Sequence, residues 1–229
     1  MQALKTRAIV LSRTNYGEAD RIITLITPEM GKLRLMARAV RALKSKLAGG
    51  IELFSINDIS YIRGRNDLGT LVSARLDSHF GKILTDIDRV QFGYDMLKII
   101  NKVTEDQTEP DYFDLLEDTF IGLNDLSVSL SVNKLWFLSH LLALSGHTPN
   151  LSTDKSGNAL ALDSKFDFDI SSMSFYDREK GTYSPEQIKF LRLTFAASNP
   201  KVVSRVIKAD DLASSVVNLI SLLHEHQLS

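Results

Sequence analysis

The sequence predicts an α+β protein in which a small five-stranded barrel precedes a helical domain with a β insert. Three observations carry this. Short β-favouring runs fill the chain through about residue 80, with Lys32 to Ala39 alternating at period two, and beyond it apolar residues recur at three- and four-residue steps. The charge reverses at the same place: residues 1–80 hold 13 Lys and Arg against 7 Asp and Glu, a net of +6, and residues 81–229 hold 14 against 21, a net of -7. Two domains therefore follow, 1–79 and 80–229, with the insert at about 148–183.

The strands can be taken in order. Thr6 to Leu11 and Arg21 to Thr27 are apolar or β-favouring, and the turn residues Asn15-Tyr16-Gly17-Glu18 lie between them. Pro28-Glu29-Met30-Gly31 supplies the next turn. From Lys32 to Ala39 the pattern places Lys32, Arg34 and Arg38 on one face and Leu33, Leu35 and Ala37 on the other, which defines a half-exposed strand. Glu52 to Ile62 and Gly69 to Leu76 complete the set around the polar turn Arg63-Gly64-Arg65-Asn66-Asp67. Five short strands without intervening helix-length patterns suit a closed barrel, for which the OB-fold is a well-populated example and an SH3-like barrel an alternative.

Past Phe80, Ile83, Ile87, Val90, Tyr94, Leu97 and Ile100 mark a helical stripe. Further helices are expected over Asp111–Leu123, Val132–Leu144, Pro185–Ala197 and Asp211–Leu223. Ser184-Pro185-Glu186 has the form of a helix start, and Asp210 or Asp211 suits the cap of the last helix. Gly146 to Tyr183 breaks the pattern with short alternating pieces such as Phe166-Asp167-Phe168-Asp169 and Met173-Ser174-Phe175-Tyr176, the expected insert.

Composition narrows the chemistry. The absence of cysteine excludes disulfides, thiolate zinc sites and thiol nucleophiles. No run approaches the roughly 20 apolar residues of a membrane span, and the N-terminus lacks the pattern of a signal peptide, so a cytoplasmic location is expected. No Gly-rich phosphate loop and no paired-histidine helix is present. The acid clusters Glu105-Asp106, Glu109 with Asp111, and Asp114 with Glu117-Asp118 admit a metal-dependent nuclease, but such a cluster more often makes a solvated helix face. The expectation is a binder without catalysis and without a cofactor.

The sharpest local signal lies between Glu29 and Glu52: Lys32, Arg34, Arg38, Arg41, Lys44 and Lys46, with no acid among them. Regularly spaced phosphates release counterions to such a surface, so it binds nucleic acid without reading sequence. Arg7, Arg63 and Arg65 are candidates to extend it, and Tyr16, Phe54 and Tyr61 are aromatics available for base stacking. Phe54 better suits the core, and Tyr16, in a turn, is the stronger stacking candidate.

Arg7 to Leu11, Glu18 to Leu25 and Thr27 to Leu33 resemble the opening of the RecO family of recombination mediators. The likeness runs on through Ala37 to Arg41, Lys44 to Gly50, and Leu53-Phe54, and more loosely through Leu141 to Leu151. It implies an OB-fold followed by a helical domain, single- and double-stranded DNA as ligands, strand annealing, and RecA loading. It also implies two protein partners, RecR and the acidic, apolar-ended tail of single-stranded-DNA-binding protein. Lys98, Lys102, Lys189, Arg192 and Arg205 lie on or beside predicted helices as candidates for the tail's groove.

The sequence departs from the family twice. Many members carry paired cysteines of a zinc-ribbon-like insert just after the position of Leu151, where this chain reads Ser152-Thr153-Asp154-Lys155-Ser156-Gly157-Asn158. The five histidines, His79, His140, His147, His224 and His226, are too scattered to replace them, so a metal-free insert held by Phe166, Phe168, Phe175 and Tyr176 is expected. The family also usually has glycine where this chain has Ala39. Without the resemblance, a general nucleic-acid-binding barrel, for RNA among others, with a helical protein-interaction domain remains the competing function.

Overall fold

A computed structural model describes residues 2–42, 47, 51–64, 67–104, 111–161 and 163–228. They form two compact units, Met1–Asp125 and Leu126–Ser229.

Five strands build the first unit: β1 (Leu4–Tyr16), β2 (Asp20–Thr27), β3 (Gly31–Ala37), β4 (Ser55–Ile62) and β5 (Leu68–His79). They close into a barrel in the order β1-β2-β3-β5-β4, the OB-fold arrangement. A bulge between Val10 and Ser12 lets one long strand serve two neighbours, since Leu4 to Ile9 pair with β4 and Ile9 to Tyr16 with β2. Closure rests on a short parallel pairing of β3 with β5, Arg34 with Leu68, Leu35 with Gly69, and Met36 with Thr70. Alternation then fills the interior with Ala8, Val10, Ile23, Leu25, Leu35, Ala37, Ile59, Tyr61 and Leu71.

Two strands are shorter than the sequence pattern indicates, and backbone conformation explains both. β3 stops at Ala37 rather than Ala39 because Ala39 has φ of +50°, and β4 starts at Ser55 rather than Glu52 because Phe54 has φ of +55°. A residue in the left-handed region turns the chain out of any ladder.

After a 3₁₀ turn at Gly81–Thr85 come α1 (Ile87–Val103) and α2 (Asp111–Asn124), which pack on β1 and β2. Phe54 joins them to the barrel, with its ring 5.3 Å from Tyr94 of α1 and 5.8 Å from Phe120 of α2, both edge-on. Gly93 makes this approach feasible, since a Cβ there would lie 2.5 Å from the Phe54 ring. The first compact unit thus runs past the change of periodicity at Phe80 and takes in two helices.

In the second unit, α3 (Leu130–Leu144), α4 (Pro185–Ala196), the single turn α5 (Pro200–Val203) and α6 (Ala209–Leu228) pack around Trp136, Phe137, Leu141, Leu191, Val216 and Ile220. Ser184 begins α4 as expected: its side chain accepts from the Gln187 amide, the Gln187 side chain returns to the Ser184 amide, and Pro185 opens the first turn. Asp210 and Asp211 do not precede α6 but sit inside its first turn, where their charges favour the helix dipole.

The insert is a three-stranded sheet, β6 (Asn150–Asp154), β7 (Phe166–Asp169) and β8 (Ser174–Asp177), with β8 central. Phe166 and Phe175 are buried, and Phe175 meets Phe168 at 4.9 Å and Tyr183 at 5.6 Å. Tyr176, expected in this cluster, instead lies under the Lys155 ammonium at 4.8 Å. No helix among the described residues is long and apolar enough to cross a membrane.

Barrel closure yields a direct test. A Cβ on Gly69 would stand 2.7 Å from Leu35 Cδ2 and 2.8 Å from the Ile62 carbonyl oxygen, where real side chains do not fit. Gly69→Ala is expected to lower stability by about 1–3 kcal/mol, read as an earlier midpoint in urea unfolding.

Candidate nucleic-acid interface

β3 sets the core of the interface. Because Leu35 and Ala37 point into the barrel, Lys32, Arg34 and Met36 point out. Arg34 is exposed and stands between Thr24 of β2 and Leu68 of β5. Arg38 and Arg41 follow in the turn after β3 and are also exposed. That turn is tied to the one between β1 and β2: the Arg41 amide donates to the Ala19 carbonyl at 2.9 Å, and its guanidinium donates to the Gly17 carbonyl at 3.3 Å.

The connection brings other residues to the same end of the barrel. Tyr16, the last residue of β1, is 56% exposed beside Gly17, which suits a ring offered to a base. Asn15 and Ala37 flank Arg21 in the ladders, and Arg21 Nε donates to Asn15 Oδ1 at 3.1 Å. Strand pattern alone gives Arg21 no functional weight, because only the register shows which end of the barrel it occupies. Among the described residues, no carboxylate lies within ion-pair distance of Arg34, Arg38 or Arg41.

Other candidates are committed elsewhere. The Lys32 ammonium donates to the carbonyls of Asn101, at 3.1 Å, and Thr104, so it serves the C-terminal end of α1. Arg7 forms an ion pair with Glu117 at 2.5 Å and lies over the Phe113 ring at 5.2 Å, which takes it out of the patch. Arg63 is exposed and its guanidinium touches Met30 Sδ at 3.3 Å. Tyr61 fills the barrel interior and Phe54 the seam beneath the helices, so neither can stack on a base. Lys44, Lys46 and Arg65 lie outside the described residues.

Among the described residues the acid clusters bring no metal centre together. No group of three or more metal-ligating side chains comes together among the described residues, and residues 105–110 are not among these. Glu117 is taken by Arg7, and burial, then the charges of Glu117 and Asp114, push the Asp118 carboxyl up to about 6.

The zinc donors of a ribbon are likewise missing from the insert. Where paired cysteines would stand, Asp154 Oδ1 accepts from the amides of Ser156 and Asn158, each at 2.8 Å, with Gly157 at φ of +86°. The Asp167 carboxylate accepts from the Thr182 amide at 2.9 Å and from Arg178. These bonds hold Asp154 and Asp167 below the usual carboxylate range. A set of carboxylates engaged by the backbone does not fit zinc. Elsewhere in the second unit, Pro149, Leu151, Arg192 and Phe195 line a shallow hollow in which Arg192 Nε donates to the Leu151 carbonyl at 2.5 Å.

Comparison with known proteins gives one consistent answer. The family described as Recombination protein O N terminal matches residues 1–80. The chain is similar to the DNA repair protein RecO of Dehalococcoides mccartyi, 33% identical over 148 residues, which is 64% of this chain and 58% of that protein. It is similar to the same-named protein of Roseiflexus sp. strain RS-1, 34% identical over 148 residues, covering 64% of this chain and 51% of the other. The match to DNA repair protein RecO of Listeria monocytogenes serotype 4b is 31% identical over 200 residues, 83% of this chain and 76% of that one. Against the first two of these relatives, the match spans between half and three-fifths of their length.

The half-buried Asp118 of α2 gives a pH prediction. Its folded pKa lies above the unfolded value of 3.8, so its favourable contribution is complete below about pH 4 and is lost as pH rises through about 6. Asp118→Asn is expected to stabilise the protein by about 1 kcal/mol near pH 7.5, discounted for partial exposure, and to leave stability nearly unchanged near pH 4. Urea unfolding at the two pH values checks both statements.

Proposed function

The chain belongs to the RecO family, and from that premise we propose that it is a non-catalytic recombination mediator of cytoplasmic DNA repair. The barrel, residues 1–79, binds single- and double-stranded DNA, and residues 80–229 contact proteins. One observation carries the DNA site: Arg34, Arg38 and Arg41 are exposed on the outer face and adjoining turn of the barrel, with no carboxylate partner among the described residues.

The strand and the bonded turn fix where these guanidinium groups leave the backbone, and counterions released from phosphates supply the driving force. Lys44 and Lys46 follow Arg41 closely in the chain and add to its positive charge. Lys32 contributes field rather than contact, since its ammonium closes α1. Tyr16 offers its ring to an unpaired base. A surface of this kind holds strands of any sequence, which suits the annealing of complementary strands and the loading of RecA together with RecR.

The net charge of -7 over residues 81–229 repels DNA and leaves that part of the chain to proteins. The hollow lined by Pro149, Leu151, Arg192 and Phe195 has the apolar wall and single cation that an acidic, apolar-ended peptide requires, so it is the proposed seat of the tail of single-stranded-DNA-binding protein.

Replacing Arg34, Arg38 and Arg41 together by Ala is expected to weaken binding to oligonucleotides of unrelated sequence alike, by at least roughly tenfold at low salt. The slope of log K against log salt for single strands should become shallower by about 2, at about 0.7 per lost phosphate contact. Fluorescence anisotropy over a salt series reads both, and unchanged affinity at low salt counts against the site. For the protein partners, Arg192→Glu is expected to abolish capture of a peptide bearing the tail sequence while leaving capture of RecR intact, as measured by pull-down.

A further inference from the structure

An acid sits within the cationic surface. Asp20, the first residue of β2, pairs with Tyr16 at the end of the β1–β2 hairpin, at the same end of the barrel as the turn carrying Arg38 and Arg41. Judged on charge alone, it opposes a polyanion there. Its carboxylate is nonetheless engaged by the backbone, since Oδ1 accepts a hydrogen bond from the Ala39 amide at 2.7 Å.

Ala39 is the residue that needs holding. Its φ of +50° is a conformation that a residue with a Cβ disfavours, and it reverses the chain between Arg38 and Arg41. Three other bonds secure the same corner: the Arg41 amide to the Ala19 carbonyl, the Ala42 amide to the Ala39 carbonyl at 3.1 Å, and the Arg41 guanidinium to the Gly17 carbonyl. Asp20 supplies the only acceptor among these that belongs to a side chain, and a charged acceptor makes the stronger bond.

We propose that Asp20 is the positioning residue of the DNA site: its carboxylate fixes Ala39 in the left-handed conformation and thereby orients Arg38 and Arg41 toward phosphate. This rests on the DNA-binding reading above. It predicts that deleting a negative charge from a surface that attracts a polyanion weakens binding whenever the acceptor is lost with the charge.

Comparison of Asp20→Asn with Asp20→Ala tests this, because both remove the charge and only the first keeps an oxygen that accepts from the Ala39 amide. With a labelled oligothymidylate at low salt, Asp20→Asn is expected to bind at least as tightly as wild type, and Asp20→Ala roughly fivefold or more weakly than Asp20→Asn. Amide exchange at Ala39 should be slow in the wild type and in Asp20→Asn, and fast in Asp20→Ala. Equal affinities for the two variants, or equal exchange, would overturn the proposal. Should Asp20→Ala not fold, Asp20→Glu retains the charge but displaces it by one methylene; weaker binding than wild type then supports the proposal and unchanged binding overturns it. Wild-type protein without salt-dependent DNA binding refutes the DNA reading itself, and the Ala39 exchange still reports whether Asp20 holds the turn.

Discussion

Closure of the barrel through the short β3–β5 pairing is the constraint on which the rest of the first unit depends. Three residue pairs complete the ring, and they do so only because Gly69 lets Leu35 and the Ile62 carbonyl approach where a side chain would intrude. Once Leu35 is fixed inward, strand alternation leaves Arg34 facing solvent between Thr24 and Leu68. The cation is therefore oriented by the core, and a slip of one residue in β3 would bury charge and expose the barrel's apolar lining.

Much of this is legible in the sequence, and what is not has a common cause. Alternation along Lys32 to Ala37 reveals which residues of β3 face outward, and the turn residues around Gly17 and Gly31 fix its neighbours. Period and composition report local geometry well. They do not report partners distant in the chain, so the fates of Lys32, bonded 69 and 72 residues away, and Arg7, bonded 110 residues away, cannot be read from them. Tyr61 has the same ambiguity: an aromatic at a strand position stacks on a ligand or fills a core according to its face, and the register puts it inside.

Ala39 shows the reverse case, in which a departure from family resemblance marks a place of structural consequence. The family's usual glycine there matches the left-handed backbone that Ala39 adopts. The missing cysteines of the insert are equally visible, and so are Phe166 and Phe175 as its apolar centre, but the aspartates that complete the replacement are not. Asp154 and Asp167 organise two turns through backbone amides, and Phe166 and Phe175 provide a small apolar centre where thiolates and metal would otherwise brace the strands. Aspartate in a polar loop is too common to announce such a role.

The seam beneath α1 and α2 has a consequence for how this protein can be taken apart. The segment matched by the family description ends at residue 80, yet the ring of Phe54 is enclosed by Tyr94 and Phe120 from beyond that boundary. A fragment cut at the end of the last barrel strand would present that aromatic face to water and invite aggregation. Exchange of barrels between relatives, whether by recombination of genes or by engineering, therefore succeeds as a graft only when both helices travel with the strands they shelter.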